Sequence, residues 1–230
     1  MILYQDSFNR ADGAPGADWA QSGGGTDFAI VSNELTCSTS AARSIATVAG
    51  TTHADIANVK VTWKRASGSG YDAGVYVRGS FGGLTSNTGS GYIINPFNSQ
   101  IDIIRRINGS NAPVGSRTGL TLADGDIYGV QIVGTAGTVT FKLFQAGSQL
   151  GADITDVHAD RIVAPGRTGI FVFQAGSMTD DFLVEDVTAV AIDAGVHAMG
   201  MSGHTATLSQ QTHGYDIGKM YRYPSPLLRM

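Results

Sequence analysis

Apolar side chains in this chain return at every second position, and nowhere do they hold a helical spacing over any length. Residues i and i+2 of an extended segment point to one side, so Val59, Val61 and Trp63 share a face, as do Val75 and Val77. In the same way Val130 goes with Ile132, Val139 with Phe141 and Leu143, Ile170 with Val172, and Phe182 with Val184. No stretch carries a 3.6-residue apolar stripe, which restricts helices to short turns and selects an all-β fold. Without crossover helices, neighbouring strands have to run antiparallel. Glycine supplies 31 of the 230 residues and charged residues only 15%, a profile of turn-rich sheet rather than helix.

The alternating runs, cut by Gly, Asn, Asp and Ser, predict strands over 2–8, 28–31, 34–38, 43–47, 54–64, 72–78, 91–95, 101–107, 127–133, 138–144, 168–174 and 181–187. Between them, Asn33-Glu34, Asn108-Gly109 and Asp124-Gly125 are the turn dipeptides, residues that take positive φ or close a turn with a side chain. Periodicity fades after about Thr188. The expected partition is one domain over 1–188 and a C-terminal extension over 189–230.

A series of local signatures follows in order along the domain. It opens with Asp6-Ser7-Phe8-Asn9-Arg10-Ala11-Asp12-Gly13 and Trp19, continues through Gly74-Val75-Tyr76-Val77-Arg78 and Gly91-Tyr92-Ile93-Ile94, and reaches Arg105-Arg106. It ends with Asp124-Gly125-Asp126-Ile127-Tyr128, Pro165-Gly166-Arg167-Thr168-Gly169-Ile170 and Asp180-Asp181-Phe182-Leu183-Val184. This order resembles the laminin-G-like branch of the concanavalin A-like lectin/glucanase superfamily, over residues 4–187. The resemblance implies a two-sheet antiparallel jelly-roll sandwich with its first and last strands neighbours in one sheet, an arrangement that protects edges otherwise open to aggregation.

Hydrolytic members of that superfamily need two carboxyls about 5.5 Å apart. The resemblance implies that two glutamates and an aspartate on one strand would supply them, but the only glutamates of this chain are Glu34 and Glu185, far apart in sequence and without carboxylates at i+2 and i+4, so the expectation is that it is not an enzyme. Cys37 is the only cysteine and stands in a Thr/Ser-rich strand, which suits a small buried hydrophobe. His53, His158, His197, His204 and His213 lack the short paired spacings of zinc sites. No cofactor is expected, except that calcium needs only oxygen donors from loops and the resemblance implies that it can be bound; Asp72, Asn95 and Asp181 are the candidate ligands by their expected loop positions. Arg78, Tyr92 and Arg105 are the candidates for a glycan-binding face, as rings stack on sugars and guanidinium groups donate to hydroxyls. The alternative for Arg78 is a cross-strand pair. Trp63, in step with Val59 and Val61, is expected in the core.

The net charge of −4, with scattered basic residues, excludes a nucleic-acid footprint, and no apolar run approaches the ~20 residues of a membrane-spanning helix. Met1 to Asp6 lacks the pattern of a signal peptide, so the expected setting is assembly in a host cytoplasm. The extension retains Met199, Met201, Tyr215, Met220, Tyr221 and Tyr223, more apolar and aromatic surface than a disordered tail keeps. These residues are expected to dock on a partner, with Pro224 and Pro226 holding the end extended. The leading expectation is a non-enzymatic bacteriophage virion protein, a capsid-decoration or tail-associated subunit, homo-oligomeric and bound to a capsid or tail subunit. The alternative is a lectin-like module for surface glycans.

Overall fold

The computed structural model describes residues 2–21, 27–38, 45–48, 52, 56–64, 73–80, 89–97, 99–134, 137–172, 176 and 178–185, with backbone alone over 45–48 and 56–64. The described residues form sixteen strands and no helix. They are β1 Ile2–Asp6, β2 Trp19–Gln21, β3 Phe28–Val31, β4 Glu34–Cys37, β5 Ile45–Val48, β6 Ile56–Lys64, β7 Ala73–Ser80 and β8 Ser90–Phe97. The second half supplies β9 Gln100–Ile107, β10 Ser110–Arg117, β11 Ile127–Val133, β12 Val139–Gln145, β13 Ser148–Gln149, β14 Ile154–Asp156, β15 Arg167–Val172 and β16 Met178–Glu185. Each of the twelve expected segments holds one of these strands. β2, β10, β13 and β14 were not anticipated.

The strands make two antiparallel sheets. One is ordered β13-β12-β11-β6-β16-β4-β3, with β1 added on β16 and β14 on β12; the other is ordered β10-β9-β8-β7-β15-β5-β2. The fold is thus an all-β jelly-roll sandwich. As expected, the ends of the domain meet: β1 runs antiparallel to β16 with Asp6 opposite Phe182 and Tyr4 opposite Val184. On its other side β16 pairs with β6, and a bulge between Asp180 and Leu183 interrupts that ladder. Asp181, at φ 49°, lies within the bulge, which bends a strand and increases its twist. One edge of β16 is shared, with β4 opposite Met178 and Thr179 and β1 opposite the residues after the bulge.

Tight turns join the hairpins. Asn108 and Gly109 carry φ 46° and 86° between β9 and β10, the positive pair that a two-residue hairpin turn demands. Between β3 and β4 the positive φ values fall on Ser32 and Asn33, so that turn is one residue earlier than Asn33-Glu34.

Alternation decides what lies between the sheets. Val75, Val77, Ile94, Ile101, Ile103, Val130, Ile132, Val139, Phe141, Leu143, Ile170, Val172, Phe182 and Val184 are all buried in one cluster. Cys37 joins them as a buried thiol. The side chain of Trp63 is outside the described residues; its backbone pairs with Thr179. A void of about 10 Å³ between Val75, Ile94, Tyr128 and Val130 is the size of one water at most.

The opposite, outer face of the β10-to-β2 sheet is not simply wet. Tyr76, Ile93 and Phe171 are fully buried there as a second cluster, with Ile104 packed against it. Gly91 makes this layer possible, because a β-carbon at that position would stand 2.5 Å from Tyr76 Cζ. The Tyr76 ring is fully buried and tethered, its hydroxyl donating to Ser90 O at 2.7 Å. Gly91→Ala is therefore expected to cost about 1–3 kcal/mol by overpacking. A thermal melt within experimental error of the parent would show that this layer is loosely held.

Residues 189–230 lie outside the described residues, and with them Met199, Met201, Tyr215, Met220, Tyr221 and Tyr223.

Candidate functional site

Strand β9 divides its side chains cleanly. Ile101, Ile103 and Arg105 turn inward, leaving Gln100, Asp102, Ile104 and Arg106 in one row on the outer face. The edge strand β10 continues that face, with Asn111 opposite Arg106, Pro113 opposite Ile104 and Ser116 opposite Asp102. A bulge between Pro113 and Gly115 carries the register across. At Gly115 a β-carbon would come within 2.8 Å of Ile154 Cγ2, so the strand closes on the core only with glycine there.

These two strands enclose a groove of about 310 Å³ lined by Asp102, Ile104, Asn111, Pro113 and Ser116. Its volume is at the small end of the range for ligand sites. Asp102 is half-buried and accepts both of its hydrogen bonds from the Gln100 amide, at 2.9 and 3.0 Å. On its other side it faces Asn95 of β8 across the ladder. Asn95 is buried, and its Oδ1 has no hydrogen-bond partner. At the far end Arg106 donates to Asn111 Oδ1 at 2.8 Å and lies 6.0 Å from the Phe171 ring centroid. Asn111, Pro113 and Ser116 are exposed.

The glycan-face candidates are elsewhere. Arg78, Tyr92 and Arg105 are buried and turned between the sheets, so they line no open face. Tyr92 and Arg105 are cross-strand partners, and both reach Asp156 of β14. Arg105 Nη1 donates to the two Asp156 oxygens at 2.7 and 2.9 Å, and the Tyr92 hydroxyl donates to Oδ2 at 2.8 Å. The His158 N–H caps Oδ1 at 3.0 Å, while the Ile162 N–H donates to the Tyr92 oxygen at 2.9 Å. Burial pushes the Asp156 carboxyl up, but these hydrogen bonds and the Arg105 charge outweigh it and hold the group below its ordinary value. Arg78, at φ 52° in a bulge of β7, donates to Ile162 O at 2.8 Å and Gly134 O at 2.6 Å. Through these two bonds it ties two connecting segments to the sheet.

Of the calcium candidates, Asn95 and Asp181 are not brought together. Asn95 faces outward from β8, Asp181 belongs to β16 in the other sheet, and Asp72 is outside the described residues. Among the described residues no group of three or more His, Cys, Asp or Glu side chains is placed to hold a metal. Glu34 and Glu185 are in β4 and β16, on the sheet without the groove. Asp102, Asn111 and Ser116 were not singled out from the sequence, although the alternation of β9 already sets Asp102 opposite in facing to Ile101 and Ile103.

No family model matches the chain, and no curated protein matches its sequence. Solved structures match its shape. The carbohydrate-binding module CBM66 from Bacillus subtilis superposes with a TM-score of 0.52 at 13% identity, over 75% of this chain and 95% of that one. A β-1,3-1,4-glucanase (lichenase) derived from a mouse hindgut metagenome gives 0.51 at 10% identity, over 80% and 98%. A Bacillus subtilis protein of unknown function with a galectin-like fold gives 0.51 at 13%, over 80% and 96%. The fold is therefore a jelly roll of the kind these proteins share. Its neighbours include both an enzyme and a binding module, so the fold alone does not separate the two activities.

Proposed function

We propose that this chain is a non-catalytic glycan-binding module, and that the groove between β9 and β10 receives the sugar. The observation that carries this reading is the groove itself, an open depression whose rim combines a carboxylate, an amide and a hydroxyl around the apolar faces of Pro113 and Ile104. Such a mixture suits a sugar, which offers hydroxyls at its edge and C–H groups on its face. Asp102 is the only carboxylate among the described residues of the lining, whereas glycoside hydrolysis ordinarily takes two carboxyls spaced about 5 to 9.5 Å apart. That supports binding without turnover.

Ser116 is exposed on an edge strand, so Ser116→Trp fills the groove without entering the core. The variant is expected to keep the melting temperature of the parent and lose at least about ten-fold in affinity on an immobilised glycan panel, the scale of one displaced charge-assisted contact. Undiminished binding by the variant would place the sugar elsewhere, and release of reducing ends by the native chain would end the non-catalytic reading.

The setting we propose for the module is a virion, with 189–230 as the arm that docks it on a capsid or tail subunit. The support is the apolar and aromatic content of that segment. A chain ended after Thr188 is expected to stay folded and soluble but to be missing, by mass spectrometry, from purified particles. Unfolding or aggregation of the shortened chain would show that the segment belongs to the domain's own core.

A further inference from the structure

Among the described residues lining the groove none is aromatic and none is cationic, so none of them offers a ring to stack on a sugar face. What the groove does have is acceptors. The Asp102 carboxylate has a neutral amide, that of Gln100, as its hydrogen-bonding partner and no ion-pair partner among the described residues. Directly across the ladder, on the same face, the carbonyl oxygen of Asn95 is buried without a partner; it does not line the groove, but it leaves an uncompensated negative dipole beside Asp102. Asn111 has committed its own oxygen to Arg106.

We propose that the glycan bound here carries a free primary ammonium, that is, an amino sugar that is not N-acetylated, with its ammonium against Asp102. This rests on the glycan-binding reading and narrows it to a substrate class. An ammonium has three N–H donors on one small group, enough to serve both Asp102 carboxylate oxygens at once. It also supplies the missing counter-charge in a half-buried setting, where a charge-assisted hydrogen bond is stronger than a neutral one. A uronic acid would bring a second carboxylate against Asp102 and is repelled. Calcium is the weaker match, since it takes six to eight oxygen ligands and Asp102 is the one carboxylate among the described residues of the groove.

Titration calorimetry of the full chain at low ionic strength against three short oligosaccharides tests this: glucosamine, N-acetylglucosamine and galacturonate oligomers, with trilysine as a non-sugar amine. The glucosamine oligomer is expected to bind at least about ten-fold tighter than the N-acetylated one and to weaken as salt is raised. Galacturonate and trilysine are expected to give no saturable heat. Asp102→Asn is expected to erase the preference for the amine. Equal or tighter binding of the N-acetylated oligomer overturns the inference while leaving the module a glycan binder, and so does an unchanged preference in Asp102→Asn. Trilysine binding as tightly as the glucosamine oligomer overturns it in favour of a cationic peptide. If none of the sugars, nor any member of a wider neutral glycan panel, binds the native chain, the glycan reading falls together with it.

Discussion

Replacing Asp156 with alanine is expected to destabilise the domain by about 3–5 kcal/mol, because it strands the Arg105 guanidinium between the sheets without a counter-charge. Asp156 and Arg105 are 3% and 6% exposed, and their contact at 2.7 Å is reinforced by the Tyr92 hydroxyl and the His158 N–H. Arg105 Nε is already without a partner, so little else can take up the charge. The pair as a whole is another matter. Removing both charges with Arg105→Met and Asp156→Leu leaves no orphan and is expected to cost far less than the sum of the single changes. Urea denaturation of the four proteins in this cycle measures the difference. A single Asp156→Ala loss below about 1 kcal/mol would mean that water reaches the guanidinium.

The same carboxyl makes the domain sensitive to acid. Asp156 is held below its ordinary 3.8 in the fold, and so is Asp6, where burial again pushes the group up but hydrogen bonds from Arg10, Trp19 and the Phe8 N–H outweigh it. A carboxyl with a lowered folded pKa contributes stability that is complete above the unfolded value and lost as pH falls through the folded one. Melting temperature is therefore expected to hold steady down to about pH 4 and to drop below it. Asp156→Asn, less stable throughout, should show a flatter acid limb.

Most of the framework was legible because period-2 alternation is enforced by a buried face: a slip of one residue would expose Val139, Phe141 and Leu143 together. The strands that escaped notice lack that signature. β10 carries Pro113 and Gly115 among polar residues, and proline is tolerated there because an edge strand leaves some N–H groups unpaired. β13 and β14 are two and three residues long, too short to display a period. The error over Tyr92 and Arg105 has a different origin. Their parity with Ile94 and Ile103 pointed inward, yet an arginine between sheets is stable only with a partner, and that partner, Asp156, is 51 residues away in sequence. Alternation reports which side a residue faces; it does not report which distant residue meets it. For the same reason Asp102 went unremarked, since the groove exists only once β10 is known to lie beside β9.

Trp19→Ala is expected to cost about 3–5 kcal/mol, as for the truncation of other large buried aromatics, and to loosen the closure of the domain rather than one loop. The indole is 6% exposed and is surrounded by rings from three places in the chain: Tyr4 at 5.8 Å, Phe8 at 5.5 Å and Phe182 at 5.2 Å between centroids. Tyr4 belongs to β1 and Phe182 to β16, so the indole packs across the seam where the two ends of the domain pair. Its Nε1 donates to Asp6 Oδ2 at 2.7 Å, and Asp6 also accepts from the Phe8 N–H at 2.8 Å and from both Arg10 terminal nitrogens at 2.7 and 3.0 Å. This constellation explains why the chain opens on Asp6, Phe8, Arg10 and Trp19 together: the carboxylate gathers donors that hold Phe8 in its φ 52° turn and set the indole against the seam. Trp19→Phe keeps much of the ring packing and loses one of four donors to Asp6, so its expected cost is smaller, about 1–2 kcal/mol. Hydrogen exchange separates a seam from a local contact. In Trp19→Ala the amides of β1 and of its partner residues in β16 should lose protection first, ahead of those of β8 and β9. If protection falls only in the connection from Phe8 to Trp19 while the β1 and β16 amides stay as slow as in the parent, Trp19 anchors a loop and the closure stands without it.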